Sequence, residues 1–188
     1  MASSSKQRQA LLRQLGLNNF KVIPPVFDED NYKVKLPITK KVVELSYLKA
    51  NSIKTNCEIT DEIIISADTE VLRCGKLYSK CHSKDDVKNH LPQLSGRKHF
   101  VYGGICVIDF SGKIHKRLVK SEVYFDLLSD NELSNPVLLD EGVGKAGGYA
   151  IQGMGGKFIR KIRVSYSNVV GLCLNSLYKI LTNIGFKN

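Results

Sequence analysis

A chain of 188 residues, 43% hydrophobic and 24% charged, suits one domain over 1–188 that folds without a metal or a disulfide. The composition excludes a disordered chain, a collagen and a disulfide-dense mini-protein, and no apolar run nears the roughly 18 residues of a membrane span. Lys+Arg number 28 against Asp+Glu 18, a formal charge of +10 that concentrates polyanions at the surface.

The excess is uneven. Residues 142–188 hold no acid, whereas Asp28-Glu29-Asp30 and Asp85-Asp86 cluster earlier. The opening MASSSKQRQ lacks the apolar stretch of a secretory signal, which predicts a cytoplasmic protein. Five cysteines, at 57, 74, 81, 106 and 173, form no C-x-x-C pair and read as reduced thiols. Cys74, Cys81, His82 and His90 match no common zinc spacing.

In chain order, Ser3-Ser4-Ser5 before Ala10, Leu11, Leu12 and Leu15, with Gly16 behind, predicts a capped first helix. Phe20–Ile23 reads as a short strand closed by Pro24-Pro25, and Pro37 opens a second helix with a broad apolar face. Ile63-Ile64-Ile65 reads as a buried strand running into Ala67-Asp68-Thr69, which places Asp68 at its end. Residues 84–94 read as a helix, and 99–125 as two long strands joined at Ser111-Gly112. Ser129 and Glu132 form a capping box. A stretch with seven glycines fills 140–157, and a last helix is expected from near Asn168 to Gly185. Helices interleaved with strands and a hairpin predict an α/β domain with a mixed sheet.

Four places join loop position to chemistry. Ser3, Ser5, Gln7 and Arg8 sit at a helix start, where free N–H groups, hydroxyls and a guanidinium suit phosphate, although a plain N-cap explains the serines as well. Asp68 ends a strand, where open α/β sheets carry their sites; a turn-capping role is the alternative. The glycine-rich stretch lets backbone approach a ligand, with Lys145, Gln152 and Lys157 in reach, but lacks the Ser or Thr of a Walker loop. Lys49 and Lys80, on spacing alone, read as solvated lysines.

ADT at 67–69, LSGRKH at 94–99, GKAGGYAIQG at 144–153 and SYSNVVGLCL at 165–174 together resemble the Maf proteins, in order and over nearly the whole chain. The resemblance implies an elongated mixed α/β sheet between helices, with a nucleotide cleft. It also implies a nucleoside triphosphate pyrophosphatase that uses a divalent metal cation, Mg²⁺ or Mn²⁺, and forms a homodimer. It assigns Asp68 as proton acceptor and metal ligand, Glu29 as an acid near the metal, and Lys49, Lys80 and Arg8 as phosphate contacts. Gln152 with Thr69 matches the branch that favours dTTP and UTP. The chain departs from the family pattern at Lys6, Gln7, Cys81, Gly103 and Gly144, and only Met1 and Ala2 precede Ser3. Gln7 stands at a specificity position normally held by arginine, so a weakened pyrimidine preference is expected.

Two other classes stay open on the sequence: a catalytically inactive nucleotide-binding relative, and a basic nucleic-acid-binding module. The lack of a ribonucleoprotein-type motif of aromatic and basic residues argues against nucleic acid as a partner.

Overall fold

The computed structural model describes residues 1–27, 32, 34–56 and 62–186. Its elements are α1 (Lys6–Gln14), α2 (Ile38–Asn56), β1 (Ile64–Arg73), β2 (Lys76–Tyr78), α3 (Lys84–Leu94), β3 (Lys98–Ile108) and β4 (Ile114–Phe125). Then come α4 (Asp130–Leu133), α5 (Pro136–Gly142), a 3₁₀ turn (Met154–Phe158), β5 (Ile159–Arg163), α6 (Tyr166–Val170) and α7 (Leu174–Asn183). One five-stranded sheet has the order β2-β1-β3-β4-β5, and its edge pairs β1·β2 and β4·β5 are antiparallel. The α/β class with helices around a sheet is as expected.

The chain forms two compact units, and β1, β3 and β4 each contribute residues to both. The first unit comprises Met1–Asp68, Gly103–Val119 and Gly171–Asn188. Its core gathers Ala2, Ala50, Ile53, Ile64, Cys106 and Ile108. Here α2 lies directly on β3: a Cβ at Gly104 would collide with the Val42 carbonyl. The Ser66 hydroxyl donates to the Ser46 carbonyl and ties α2 to β1 as well. The second unit comprises Thr69–Tyr102 and Lys120–Val170. Val87, Leu91 and Leu94 of α3 and Leu138 and Leu139 of α5 pack there with Val101, Val123 and Phe125.

Local signals explain several helix starts. Ser5 caps α1 by accepting from the Arg8 N–H, Ser83 and Asp86 form a capping box on α3, and Ser129 and Glu132 form the anticipated one on α4. Asp109 accepts from Ser111 and Lys113 N–H groups and fixes the β3–β4 turn, with Gly112 at φ 82°.

Three expectations change, and one strand appears that the sequence did not suggest. Phe20–Ile23 is not a strand: among the described residues its backbone is tied to Met1, whose amine donates to Lys21 O and whose carbonyl accepts from Ile23 N–H. β1 does not stop at Asp68 but continues to Arg73 and turns at Cys74-Gly75 into β2, so Asp68 lies mid-strand. The last helix is two helices. Gly171, at φ 137°, interrupts it, and its carbonyl accepts from Arg8 Nε at 3.0 Å. Ile159–Arg163, among five residues with three exposed cations, forms an edge strand whose polar face hid it from hydropathy.

Candidate functional site

In the first unit the central feature is a buried ion pair. Lys49 Nζ, from the middle of α2, donates to Asp68 Oδ1 on β1 at 2.6 Å, and both side chains are about 5% exposed. α2, which carries Lys49, is the helix seated closely on Gly104. Asp68 Oδ2 is buried and has no hydrogen-bond partner. A buried ion pair is a poor stabilising device, since desolvation offsets most of its Coulomb gain. A bare carboxylate oxygen beside it adds to that cost, so the arrangement points to function. Oδ2 has the chemistry to accept a proton from water or to coordinate a cation.

The start of α1 supplies the other polar group of this unit. Arg8 Nη1 donates to the Ser3 hydroxyl at 3.3 Å, and its Nε is taken by Gly171 O. The guanidinium is thereby held in place next to a helix N-terminus, a setting favourable to phosphate. Ser5 serves as N-cap and donates to Gln7 Oε1 at 3.3 Å. The plain capping role of Ser5 and the placement of Arg8 by Ser3 thus coexist.

In the second unit the glycine-rich stretch is stitched onto the segment after β2. Gly147 N–H donates to Tyr78 O, Cys81 N–H to Lys145 O and Gly144 N–H to Cys81 O, while Lys80 and Ala146 form a β-bridge. Gly147 and Gly148 sit at φ 76° and 74°, a conformation that side chains resist. This brings Lys80 and Lys145 together. Burial, and then the charge of Lys80, hold the Lys145 ammonium below the ordinary lysine pKa. Two crowded ammonium groups form a natural anion site, because a phosphate relieves their repulsion. Thr69 is half-buried on β1, and Gln152 is exposed, with its amide available to a ligand.

Sequence reasoning missed the support beneath this stretch. His99 on β3 is fully buried and hydrogen-bonds the Tyr149 hydroxyl through Nε2 at 2.8 Å. Desolvation, and then Arg73, lower the His99 pKa to about 4, while burial pushes the Tyr149 phenol up. The tie of His99 to the glycine-rich stretch joins two segments 50 residues apart in the chain, which no local pattern displays. Glu70, one strand repeat beyond Asp68 on β1, is a second buried acid.

Direct contact thus joins Ser3 to Arg8 and Lys49 to Asp68, and Lys80 neighbours Lys145. Glu29, the second expected metal ligand, lies outside the described residues. Among the described residues no group of three or more His, Cys, Asp or Glu side chains is placed to hold a metal.

A sequence model of the Maf-like protein family matches residues 1–184. The chain is 38% identical over 190 residues to a dTTP/UTP pyrophosphatase of Mesorhizobium japonicum, covering 100% of this chain and 91% of that protein. It is 40% identical over 182 residues to a dTTP/UTP pyrophosphatase of Clostridium botulinum, covering 96% of each chain. With a nucleoside triphosphate pyrophosphatase of Neorickettsia sennetsu it shares 39% identity over 186 residues, covering 98% of this chain and 87% of the other. By its motifs, its fold and its likeness along the full length, the chain belongs to the Maf-like protein family.

Proposed function

We propose that the protein is a nucleoside triphosphate pyrophosphatase, hydrolysing dTTP and UTP in preference to purine triphosphates, to the monophosphate and pyrophosphate. The observation that carries the chemistry is the buried Lys49–Asp68 pair with Asp68 Oδ2 left unpartnered. A carboxylate so placed takes the proton of an attacking water, and the Lys49 hydrogen bond to Oδ1 keeps it aimed. Arg8, with Ser3 and Ser5, supplies positive charge for phosphate oxygens in the first unit, and Lys80 with Lys145 offers the same chemistry in the second; such oxygens gain charge as the α–β anhydride breaks. The departing group is pyrophosphate, and no covalent intermediate is required. The relatives named dTTP/UTP pyrophosphatases support both the reaction and the pyrimidine preference.

Asp68 Oδ2, a hard oxygen donor without a partner, fits Mg²⁺ or Mn²⁺, with Glu29 as the second donor in the proposal. Such a cation, when bound, screens the charge of the triphosphate. Gln152 and Thr69 are proposed to read the base, since an amide pairs with a pyrimidine carbonyl and N3–H. Cys74, Cys81, Cys106 and Cys173 are free thiols, in keeping with a cytoplasmic setting. Among the described residues no helix is long and apolar enough to cross a membrane. A homodimer completes the proposal, and sedimentation equilibrium measures it.

The decisive assay is pyrophosphate release from dTTP, UTP, CTP and GTP with Mg²⁺ or Mn²⁺. Release from dTTP or UTP that Asp68→Asn abolishes supports the reading. Absence of release from all four, with nucleotide still bound, shows an inactive binding protein instead.

A further inference from the structure

The second unit carries an unusual surface on β3, β4 and β5. Strand alternation sends His99, Val101, Val123 and Phe125 into the core, and Lys98, Phe100, Tyr102, Lys120, Glu122 and Tyr124 to the opposite face. Register pairs Glu122 with Arg163 and Tyr124 with Lys161, and residues opposed in an antiparallel pair share a face. Four exposed cations thus surround two half-buried rings, Phe100 and Tyr124, with Tyr102 buried beside them, and the one acid among them is already engaged. Glu122 accepts from the Tyr124 hydroxyl at 2.6 Å and lies 3.8 Å from Arg163.

The cations lie on the rings. Lys120 Nζ is 4.0 Å from the Phe100 centroid and 5.7 Å from that of Tyr102. Lys98 Nζ is 5.1 Å from Phe100 and 6.0 Å from Tyr124, and the Arg163 guanidinium is 5.9 Å from Tyr124. Phe100 and Tyr124 are half-buried, so their rings present a face rather than a protruding apolar knob.

We propose that this face binds single-stranded nucleic acid. Its chemistry is that of stacking platforms: aromatic faces that accept any base, with cations on flexible stems beside them to meet phosphates. The lysines resting on the rings mark where a positively polarised or π-stacked group is accepted, and they swing to phosphate when a base takes their place. A second copy of the chain is the weaker occupant, since self-pairing would set this cationic face against its own like charge. The motif differs from a ribonucleoprotein signature because its residues come from three strands, and no single stretch of sequence displays it.

The test is fluorescence anisotropy of a labelled twenty-residue oligo(dT), in EDTA and with excess dTTP to occupy the proposed nucleotide site. Binding should weaken roughly 50-fold between 50 and 200 mM salt if about four phosphates are neutralised. Phe100→Leu and Tyr124→Leu should each weaken it roughly 5- to 150-fold, the range for losing one stacked base. Lys120→Ala combined with Arg163→Ala should cut the salt dependence by about half. Pyrophosphate release by these variants should match the unmutated protein, which also reports that they fold. If a ring variant does not fold, the surface pair Lys120→Glu and Arg163→Glu decides alone, with loss of oligo(dT) binding expected. No binding by the unmutated protein, or affinity unchanged in the variants, overturns the proposal. So does a shift from dimer to monomer in the variants with oligo(dT) binding intact, which would make the face an interface between copies.

Discussion

Lys49 Nζ and Asp68 Oδ1 meet at 2.6 Å in the interior of the first unit, one from α2 and the other from the middle of β1. The second oxygen of the same carboxylate has no partner. The pair therefore couples a stability cost to a chemical capability, and the two separate under mutation.

Asp68→Asn should lower pyrophosphate release by about 10²–10⁴-fold, the usual cost of losing a general base. It also leaves the Lys49 ammonium buried without its counter-charge, and breaking a buried pair costs about 3–5 kcal/mol. Denaturant titration should show this loss, and Lys49→Met combined with Asp68→Asn should recover part of it while staying inactive.

Gly104→Ala should act on the same pair from a distance. The added methyl meets the Val42 carbonyl and forces α2 off β3, an overpacking of about 1–3 kcal/mol. Because Lys49 rides on α2, turnover should fall together with the melting temperature. A stable variant with full turnover would show that the seating of α2 does not set the pair.

Lys145 is depressed by burial first and by Lys80 second. Substrate affinity should therefore begin to decline, as pH rises, below the range of an ordinary lysine. Lys80→Met removes one phosphate contact and so raises KM for dTTP. It also relieves the repulsion on Lys145, so the alkaline limb should move to higher pH. KM for dTTP measured across the alkaline range in both proteins checks the sign.

His99 supplies a stability prediction. Its folded pKa of about 4 lies below the ordinary 6.5, so in that window the unfolded chain binds a proton that the folded one refuses. Stability should be full above pH 6.5, fall as pH drops toward 4, and change little more from this group below that; the whole effect is about 3 kcal/mol. Urea titrations from pH 4 to 7.5 should show the slope, and His99→Gln should flatten it. Tyr149→Phe, which removes the hydroxyl from His99, should loosen the glycine-rich stretch and raise KM more than it lowers kcat.

Gln152→Glu should erode preference for dTTP and UTP, because a carboxylate cannot donate to a pyrimidine carbonyl. Gln7 accepts from Ser5 instead of presenting a cation, so Gln7→Arg should sharpen the preference or speed turnover. Ratios of kcat/KM for dTTP, UTP, CTP and GTP decide both, and GTP as the best substrate would end the pyrimidine reading.

What the sequence by itself determined were the features written in adjacent residues. Ser5 before an apolar repeat, the capping box at Ser129, the Ser111-Gly112 turn and the β-branched run at Ile63 are local signals, and local physics fixes them. The order of the ADT, KAGGYAIQG and SYSN motifs placed the chain in its family for the same reason. Only the tertiary structure decided that β1 runs through Asp68, since its extension is held by pairing with β2. It decided that Gly171 breaks the last helix, where its φ of 137° leaves the helical range and its carbonyl meets Arg8. The Lys49–Asp68 pair, the His99–Tyr149 bond and the cation-covered aromatic face join residues far apart along the chain. Packing alone brings such groups within a few ångströms, so no periodicity or spacing could have announced them.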